Sequence, residues 1–526
     1  MLLATSRVVG DSPNQGYNRR DSWRSLGVSN PCSRRERAVS WATRRRELKL
    51  EAGGAYWREN SIIRSLLYRT RVCKRSLEAS PIFQPTIILR PQHTISRANI
   101  SASALKVLYR LREGGFRACL VGGGVRDLLL GREPKDFDIA TDARPEQVYK
   151  LFRNCRLIGR RFRLAHVQFG QEIVEVATFR GRGADDENGD GPSIERTATG
   201  RILSDNVYGN IEEDAWRRDF TVNALYYDID NFVVIDYVGG IADLEAGLIR
   251  LIGDPTQRYQ EDPVRMLRAV RFAAKLGFRF DPVTEAPLHR LGHLLEQIPA
   301  ARLLDEVLKL FLTGSALQTF ELLRHYRLFG CLFPATERCL THQQQHYPKT
   351  LLVRALASTD QRLAEGKSVN PAFLFAALLW EPLRECMKQL DIGDLNDIEA
   401  IQTAADTVIQ AQLRRTALPR RHSLPMREIW EMQQRLMTIT GKRPLRLLGH
   451  PRFRAGYDFL VLRGETDEEA AALADWWTRF LALDEAGRAQ ALQPSRTSAN
   501  KAKSRRRRKP RSARKASKSL PLQPEI

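Results

Sequence analysis

The sequence predicts an α+β protein: a mixed α/β head over residues 95–252, an all-α half after it, and a basic extension at each end. Three observations carry this. Between 95 and 252, short apolar strand-like runs alternate with amphipathic stretches; beyond Pro263, apolar residues recur at helical spacing almost throughout; and the charge gathers at the chain ends. At 526 residues the chain exceeds what one hydrophobic core supports, so several packed units are expected. Of a formal net charge of +23, residues 1–95 hold 18 Lys/Arg against 7 Asp/Glu, and residues 496–526 hold 12 against Glu525 alone. Each end thus carries +11 and the 400 residues between them about +1, a neutral body with two basic arms. That distribution points to a polyanionic partner, nucleic acid first.

Residues 1–94 are rich in Arg and Ser without sustained apolar periodicity, so disorder is expected for most of them. Their acid-poor texture suits either an organelle transit peptide or an extension outside the working protein. No Met occurs between Met1 and Met266, so a later start would need another codon. The seven cysteines (32, 73, 119, 155, 331, 339, 386) are scattered and form no CxxC pair, which argues for a reducing, cytoplasmic setting and against a zinc knuckle. The apolar stretch "PAFLFAALLW" is shorter than the ~20 residues of a membrane span, and no membrane role follows.

From 95 onward the elements read in order. "SASALKVLYRLREGGF" is a Ser-capped helix closed by Gly114-Gly115, "ACLV" a strand, and "VRDLLLG" a helix after a glycine turn. "KDFDIAT" (135–141) reads as a strand and "RPEQVYKLF" as a helix with Pro145 in its first turn. "AHVQFG" and "EIVEVATFR" form a hairpin around Gly170-Gln171, and the polar, Gly-rich 181–205 a flexible surface loop. Helices then follow one another from "PVRMLRAVRFAAKLGF" to "EEAAALADWWTRFLAL", without a fixed-period repeat.

"LVGGGVRDLLLGREPKDFDIAT" combines two chemical devices. Gly122, Gly123 and Gly124 let the backbone approach a phosphate, a helix start points its N–H groups there, and Arg126 offers a guanidinium clamp. Asp136 and Asp138, two apart, share one face of a strand. Two carboxylates ~4 Å apart repel by about 4 kcal/mol at an effective dielectric of 20, and a cation resolves that. Oxygen-only ligands beside a phosphate site suit Mg²⁺, with room for a two-ion site that activates a hydroxyl and stabilises a leaving pyrophosphate. Glu175 is either a third carboxylate on a neighbouring strand or an exposed residue balanced by Arg180. In "EEDAWRRDFTVNALYYD", Arg217, Arg218 and Asp219 suit a triphosphate and ribose, beside Asn223, or are solubilising helix-end charges. In "EDPVRMLRAVRFAAKLG", Asp262 and Arg265 offer an acceptor and donors that suit a base edge. Arg268 and Arg271 continue the stripe, whose bland alternative is the wet face of an amphipathic helix.

In this order, "LVGGGVRDLLLG…KDFDIAT", "EVATFR", "EEDAWRRDFTVNALYYD" and "EDPVRMLRAVRFAAKLG" resemble the motifs of the bacterial-type (class II) polynucleotide adenylyl- and CCA-adding nucleotidyltransferases, over about residues 95–480. The resemblance implies a nucleotidyltransferase-type head (95–252), a helical neck for nucleotide recognition and RNA (253–315), an RNA-binding body and tail (316–490), and an Arg/Lys-rich end (491–526). It implies Mg²⁺ on Asp136 and Asp138 and ATP as substrate, and Glu175 stays the candidate third ligand from its place on the neighbouring strand. Gly122, Gly123 and Arg126 would take the triphosphate, Arg218, Asp219 and Asn223 the nucleotide and catalytic centre. Asp262 and Arg265 would pair with the base, with Arg268 and Arg271 near the nucleotide. "LIGRRFRLAHVQFG" (157–170) is similar to the stretch typical of bacterial poly(A) polymerases, where CCA-adding members differ, and it puts Arg160, Arg161 and Arg163 toward RNA. Arg505, Arg506, Arg507, Arg508 and Lys509 belong to a tail resembling theirs, physically a sequence-independent phosphate anchor. His166 reads as packed or hydrogen-bonded rather than as a proton shuttle, and the lack of a His-Asp dipeptide argues against an appended phosphohydrolase domain. The expected activity is template-independent addition of AMP to RNA 3′ ends by a monomer, with RNA-decay proteins as candidate partners. CCA addition to tRNA and a non-catalytic RNA-binding role are the alternatives; the presence of both aspartates argues against the latter.

Overall fold

The head is built on strands that come from distant parts of the chain. In the computed structural model, which describes residues 84–159, 163–181, 195–196, 202–204, 207–342, 351–390 and 398–492, they are β1 (Thr86–Ile88), β2 (Ala118–Val121), β3 (Asp138–Thr141), β4 (Cys155–Ile158), β5 (Leu164–Phe169) and β6 (Glu172–Thr178), followed by the pair β7 (Glu195–Arg196) and β8 (Ile202–Ser204), then β9 (Leu225–Asp228) and β10 (Val233–Asp236). Eight of them make one sheet in the order β1-β10-β9-β2-β3-β6-β5-β4. Every neighbour pair in it is antiparallel except β3 and β6, which run parallel and set Asp138 beside Glu175. Two further strands, β11 (Leu248–Ile249) and β12 (Arg279–Phe280), form a small parallel ladder.

Strand alternation divides the sheet's two faces and so positions the site. Ala118, Leu120, Ile139, Val174, Val176, Leu225 and Tyr227 face the main core, whereas Cys119, Val121, Ala140 and Tyr226 face a smaller one on the other side. Phe137 packs on the main core too. Asp138 and Glu175 therefore belong to the smaller-core side. There α4 (Ile211–Arg217) covers the sheet with Ile211 and Ala215. Its start is fixed by a reciprocal cap: Asn210 Oδ1 accepts from Glu213 N and Glu213 Oε2 from Asn210 N, both at 2.9 Å.

The helices before it are α1 (Ala102–Glu113), α2 (Gly123–Leu129) and α3 (Pro145–Leu151). In α1, Ala104, Val107, Leu108 and Leu111 make a buried stripe at 3–4 residue spacing, and Ser101 Oγ caps Ala104 N at 3.1 Å. After α4 come α5 (Gly240–Ala246), α6 (Pro255–Glu261), α7 (Val264–Leu276) and α8 (Ala300–Phe311), then helices through to Glu485–Ala491. One apolar core runs from Ile95 to Phe459, so head and helical half share it. Among the described residues no helix is long and apolar enough to cross a membrane.

Three local expectations differ from the structure. β1 lies upstream of residue 95, within the segment read as extension: it is a three-residue edge strand paired with β10, too short to show a period. β3 begins at Asp138, leaving Asp136 in the loop before it. Within the stretch read as a loop, β7 pairs with β8; most of 181–205 lies outside the described residues.

Candidate active site

The glycine turn, the aspartates and the arginine helix converge on one cavity of about 260 Å³. Gly122, Gly123, Gly124 and Asp136 line it with Asp138, and across from them stand Arg218, Asp219, Asn223, Arg268 and Arg271. Arg126 lines it as well, with four residues absent from the expected set: Asp127, Lys135, Phe272 and Lys275. Six cations thus face four carboxylates, a surplus suited to a polyphosphate.

Gly122 shapes the floor. Its φ of 74° and ψ of −136° lie in a region that side-chain-bearing residues avoid, and it delivers the chain from β2 into α2. A Cβ there would sit 3.8 Å from both Arg218 Nη1 and Asp138 Oδ2, so this arginine and this carboxylate look onto the same space. Burial, then the neighbouring Glu175 charge, push the Asp138 carboxyl up to about 6, with Asp136 adding and Arg218 opposing. Asp136 is exposed. Glu175, half-exposed, pairs with His166 Nε2 at 3.2 Å and is not in the cavity lining. Among the described residues no three Asp, Glu, His or Cys side chains gather tightly enough to ligate one ion by themselves. The donor set is therefore a carboxylate pair at the mouth of a cationic cavity. That fits Mg²⁺, which is usually held by one or two carboxylates plus substrate phosphates and keeps waters besides.

The arginines are held in place by specific partners. Arg126 is buried; its Nε and Nη2 donate to Asp127 Oδ1 at 2.9 and 2.7 Å, and its Nη1 to Asn223 Oδ1 at 2.5 Å. Asp127 also meets Lys275 Nζ at 3.5 Å. Asp219 is enclosed: Oδ2 accepts from Arg268 Nε at 2.7 Å and pairs with its Nη2 at 2.6 Å, while Oδ1 accepts from Phe220 N and Asn223 Nδ2. Burial alone would raise this carboxyl, but the Arg268 charge and these hydrogen bonds outweigh it and hold it near 2. Arg271 has burial against it and the like-charged Arg268 beside it, which lower its guanidinium to about 10; it lies 4.5 Å from the Phe272 ring centre. Helix α7 buries Val264, Met266, Leu267, Ala269, Val270, Phe272, Ala273, Ala274 and Leu276. Its basic stripe is thus half-buried and lines the cavity from Arg268 to Lys275, rather than forming a wet face.

Arg265 N donates to the Asp262 carbonyl at 3.0 Å, and the two side chains have further partners. Arg302 Nη2 donates to Asp262 Oδ2 at 2.6 Å, and Arg265 Nη1 donates to Glu261 Oε2 at 2.9 Å and Arg258 O at 2.7 Å; neither residue is in the cavity lining. Arg258 Nη2 in turn donates to the Arg217 and Arg218 carbonyls at 2.8 and 2.5 Å, pinning the end of α4 to α6. Of the residues read toward RNA, Arg163 pairs with Glu146 at 2.8 Å; Arg160, Arg161, Arg505 to Arg508 and Lys509 lie outside the described residues. Lys275 was visible in the sequence as the next step of the arginine stripe. Arg302 carried no local signal, because its partner is 40 positions away.

Three family models match the chain: "Poly A polymerase head domain" at 118–250, "Probable RNA and SrmB- binding site of polymerase A" at 277–340, and "Polymerase A arginine-rich C-terminus" at 393–513. The chain is 52% identical over 400 residues to Poly(A) polymerase I of Salmonella typhi, covering 76% of this chain and 86% of that protein. To Poly(A) polymerase I of Haemophilus influenzae it is 48% identical over 414 residues, 78% and 91%. A CCA-adding enzyme of Bacillus subtilis is 38% identical over 226 residues, 43% of this chain and 54% of that protein.

Proposed function

The chain belongs to the bacterial poly(A) polymerase family, and on that premise we propose that it transfers AMP from ATP to the 3′-hydroxyl of RNA without a template, repeatedly. In each cycle a bond forms between the 3′-oxygen and the α-phosphorus, the bond to the bridging oxygen of the β-phosphate breaks, diphosphate leaves, and the hydroxyl proton is released. The observation that carries the site assignment is the single cavity where the Gly122 turn, Asp136, Asp138, Arg218, Asp219, Arg268 and Arg271 meet.

Gly122 and Gly123 leave the floor open to the triphosphate, and Lys135, Arg218, Arg271 and Lys275 supply positive charge around it. Asp136 and Asp138 would hold Mg²⁺, with Glu175 as an outer carboxylate, and the bound metal would polarise the reacting oxygens. Asp219 acts mainly by holding Arg268, since both its oxygens are engaged. Arg126, fastened to Asp127 and Asn223, supports the wall behind the glycines and adds charge for the phosphates. Asp262 and Arg265, locked by Arg302 and Glu261, form a fixed edge for the base. The helices from 253 onward and the basic arms carry RNA 3′ ends, together with Arg160, Arg161 and Arg163 of the head. The same reading places the protein in the cytoplasm as a monomer, alongside RNA-decay proteins.

Purified protein incubated with an unstructured RNA, Mg²⁺ and each nucleoside triphosphate in turn tests this. Long tails with ATP alone are expected. Addition confined to tRNA, C before A, would instead make it a CCA-adding enzyme.

A further inference from the structure

We infer that Asp214 and Tyr226 are positioning residues for the nucleotide: a buried carboxylate and phenol that fix the Arg218 guanidinium over the Gly122 turn. The inference rests on the reading of Arg218 as a nucleotide-binding residue. Neither Asp214 nor Tyr226 lines the cavity, whereas Arg218 lines it and hydrogen-bonds to both.

The three groups close a ring of hydrogen bonds. Arg218, the residue that caps the C-terminal end of α4, donates from Nε to Asp214 Oδ2 at 3.1 Å and to Tyr226 Oη at 2.9 Å, and from Nη2 to Asp214 Oδ2 at 3.0 Å. Tyr226 Oη donates to the same Asp214 oxygen at 2.6 Å. The other oxygen, Oδ1, accepts from the Arg180 backbone N–H at 3.1 Å, so the carboxylate is satisfied on both sides. Asp214 sits one helical turn before Arg218 on α4, and Tyr226 stands in the middle of the sheet on β9, opposite Val121 and Ile235.

The phenol is itself immobile. Tyr226 is fully buried, and its ring meets Phe179 and Tyr237 edge-on at 6.3 and 6.5 Å. The guanidinium carbon lies 5.2 Å from its ring centre. One edge of Arg218, Nε and Nη2, is thus spent on the pair. The remaining nitrogen, Nη1, is the one found beside the Gly122 floor together with Asp138 Oδ2. A free arginine would lose rotamer freedom on meeting a ligand, and an arginine ordered beforehand avoids that loss. A buried ion pair is a poor device for stability alone, since apolar residues of similar volume serve as well. Its value here lies in where it aims the free nitrogen.

Tyr226→Phe tests this with the ring kept and only the hydroxyl removed. With RNA saturating, KM for ATP is expected to rise about tenfold while kcat and KM for RNA stay nearly constant, the size that losing a hydrogen bond to a charged group implies. Asp214→Asn, which keeps the shape, should raise KM for ATP further, and Asp214→Glu should recover part of it. In an Arg218→Lys background, Tyr226→Phe should add less than about twofold, because the guanidinium it positions is gone. Independent, multiplying effects would overturn the proposal, as would a Tyr226→Phe enzyme with normal KM for ATP when Arg218→Lys is impaired. If Arg218→Lys itself leaves KM for ATP unchanged, the nucleotide role of Arg218 fails first and the positioning role with it. A fall in melting temperature with equal changes toward ATP and RNA would mark the pair as merely structural.

Discussion

At the scale of single residues, the site is organised by electrostatic conflict at Asp138 and electrostatic agreement at Asp219. Asp138 titrates near 6 in the folded protein against an ordinary 3.8, so its charged form is the one the fold disfavours. Below pH ~4 the group is protonated in both folded and unfolded chains and costs nothing. Between pH 4 and 6 it ionises in the unfolded chain first, and stability falls as pH rises through that window. Metal-free Asp138→Asn protein should therefore be more stable than wild type at pH 7 by about 1–2 kcal/mol after allowing for solvent screening, and equal to it at pH 4, as urea titrations at the two pH values would show. Asp219 has the opposite sign. Held near 2, it contributes stability that is present above about pH 4 and lost as pH falls toward 2. Asp219→Asn leaves the Arg268 charge buried without its partner and should cost about 3 kcal/mol, with a higher KM for ATP; an unchanged denaturation midpoint would contradict this. The types and order of these residues were readable from the sequence. Their pairing was not, because Arg268 and Asp219 lie 49 positions apart and Asp214 and Tyr226 meet only after the sheet has formed.

At the scale of elements, the local signals were those with local causes. Ser101 capping α1, and Gly170 turning at φ 60° between β5 and β6, each act within a few residues and were legible. The start of β3 was not: Asp136 and Asp138 look alike in a strand pattern, and only pairing with Val121 and Glu175 decides that the strand begins at Asp138. Nor was β1, whose three residues become a strand only by joining β10. The turn from β2 into α2 makes a sharp prediction. Gly122→Ala meets no close atom, the nearest being 3.8 Å away, so its penalty comes from the backbone angle alone. A cost of about 1–3 kcal/mol and a collapse of kcat/KM for ATP are expected, whereas Gly115→Ala, at φ 81° but outside the cavity, should lower stability and leave KM for ATP intact.

At the scale of the whole molecule, chemistry and RNA retention are assigned to different parts of the chain. The neutral body carries the cavity, and on the proposed reading the charge at the C-terminal end, +11 over residues 496–526, would supply phosphate contacts that need no particular sequence. Removing residues after 495 should raise KM for RNA several-fold and flatten its dependence on salt while KM for ATP stays constant. A parallel rise in both would count against a separate anchor. The uneven charge behind this proposal was legible in the sequence because the position of charge along the chain, unlike side-chain pairing, does not depend on folding. The claim on which everything else depends is that AMP transfer occurs at the cavity where Asp138 faces Gly122 and Arg218. Product formation by Asp138→Asn, measured with ATP, Mg²⁺ and a labelled RNA alongside RNA binding, tests it most directly. Near-complete loss of tail synthesis with RNA affinity unchanged is the expected result, and tails of wild-type length at wild-type rate would contradict the claim.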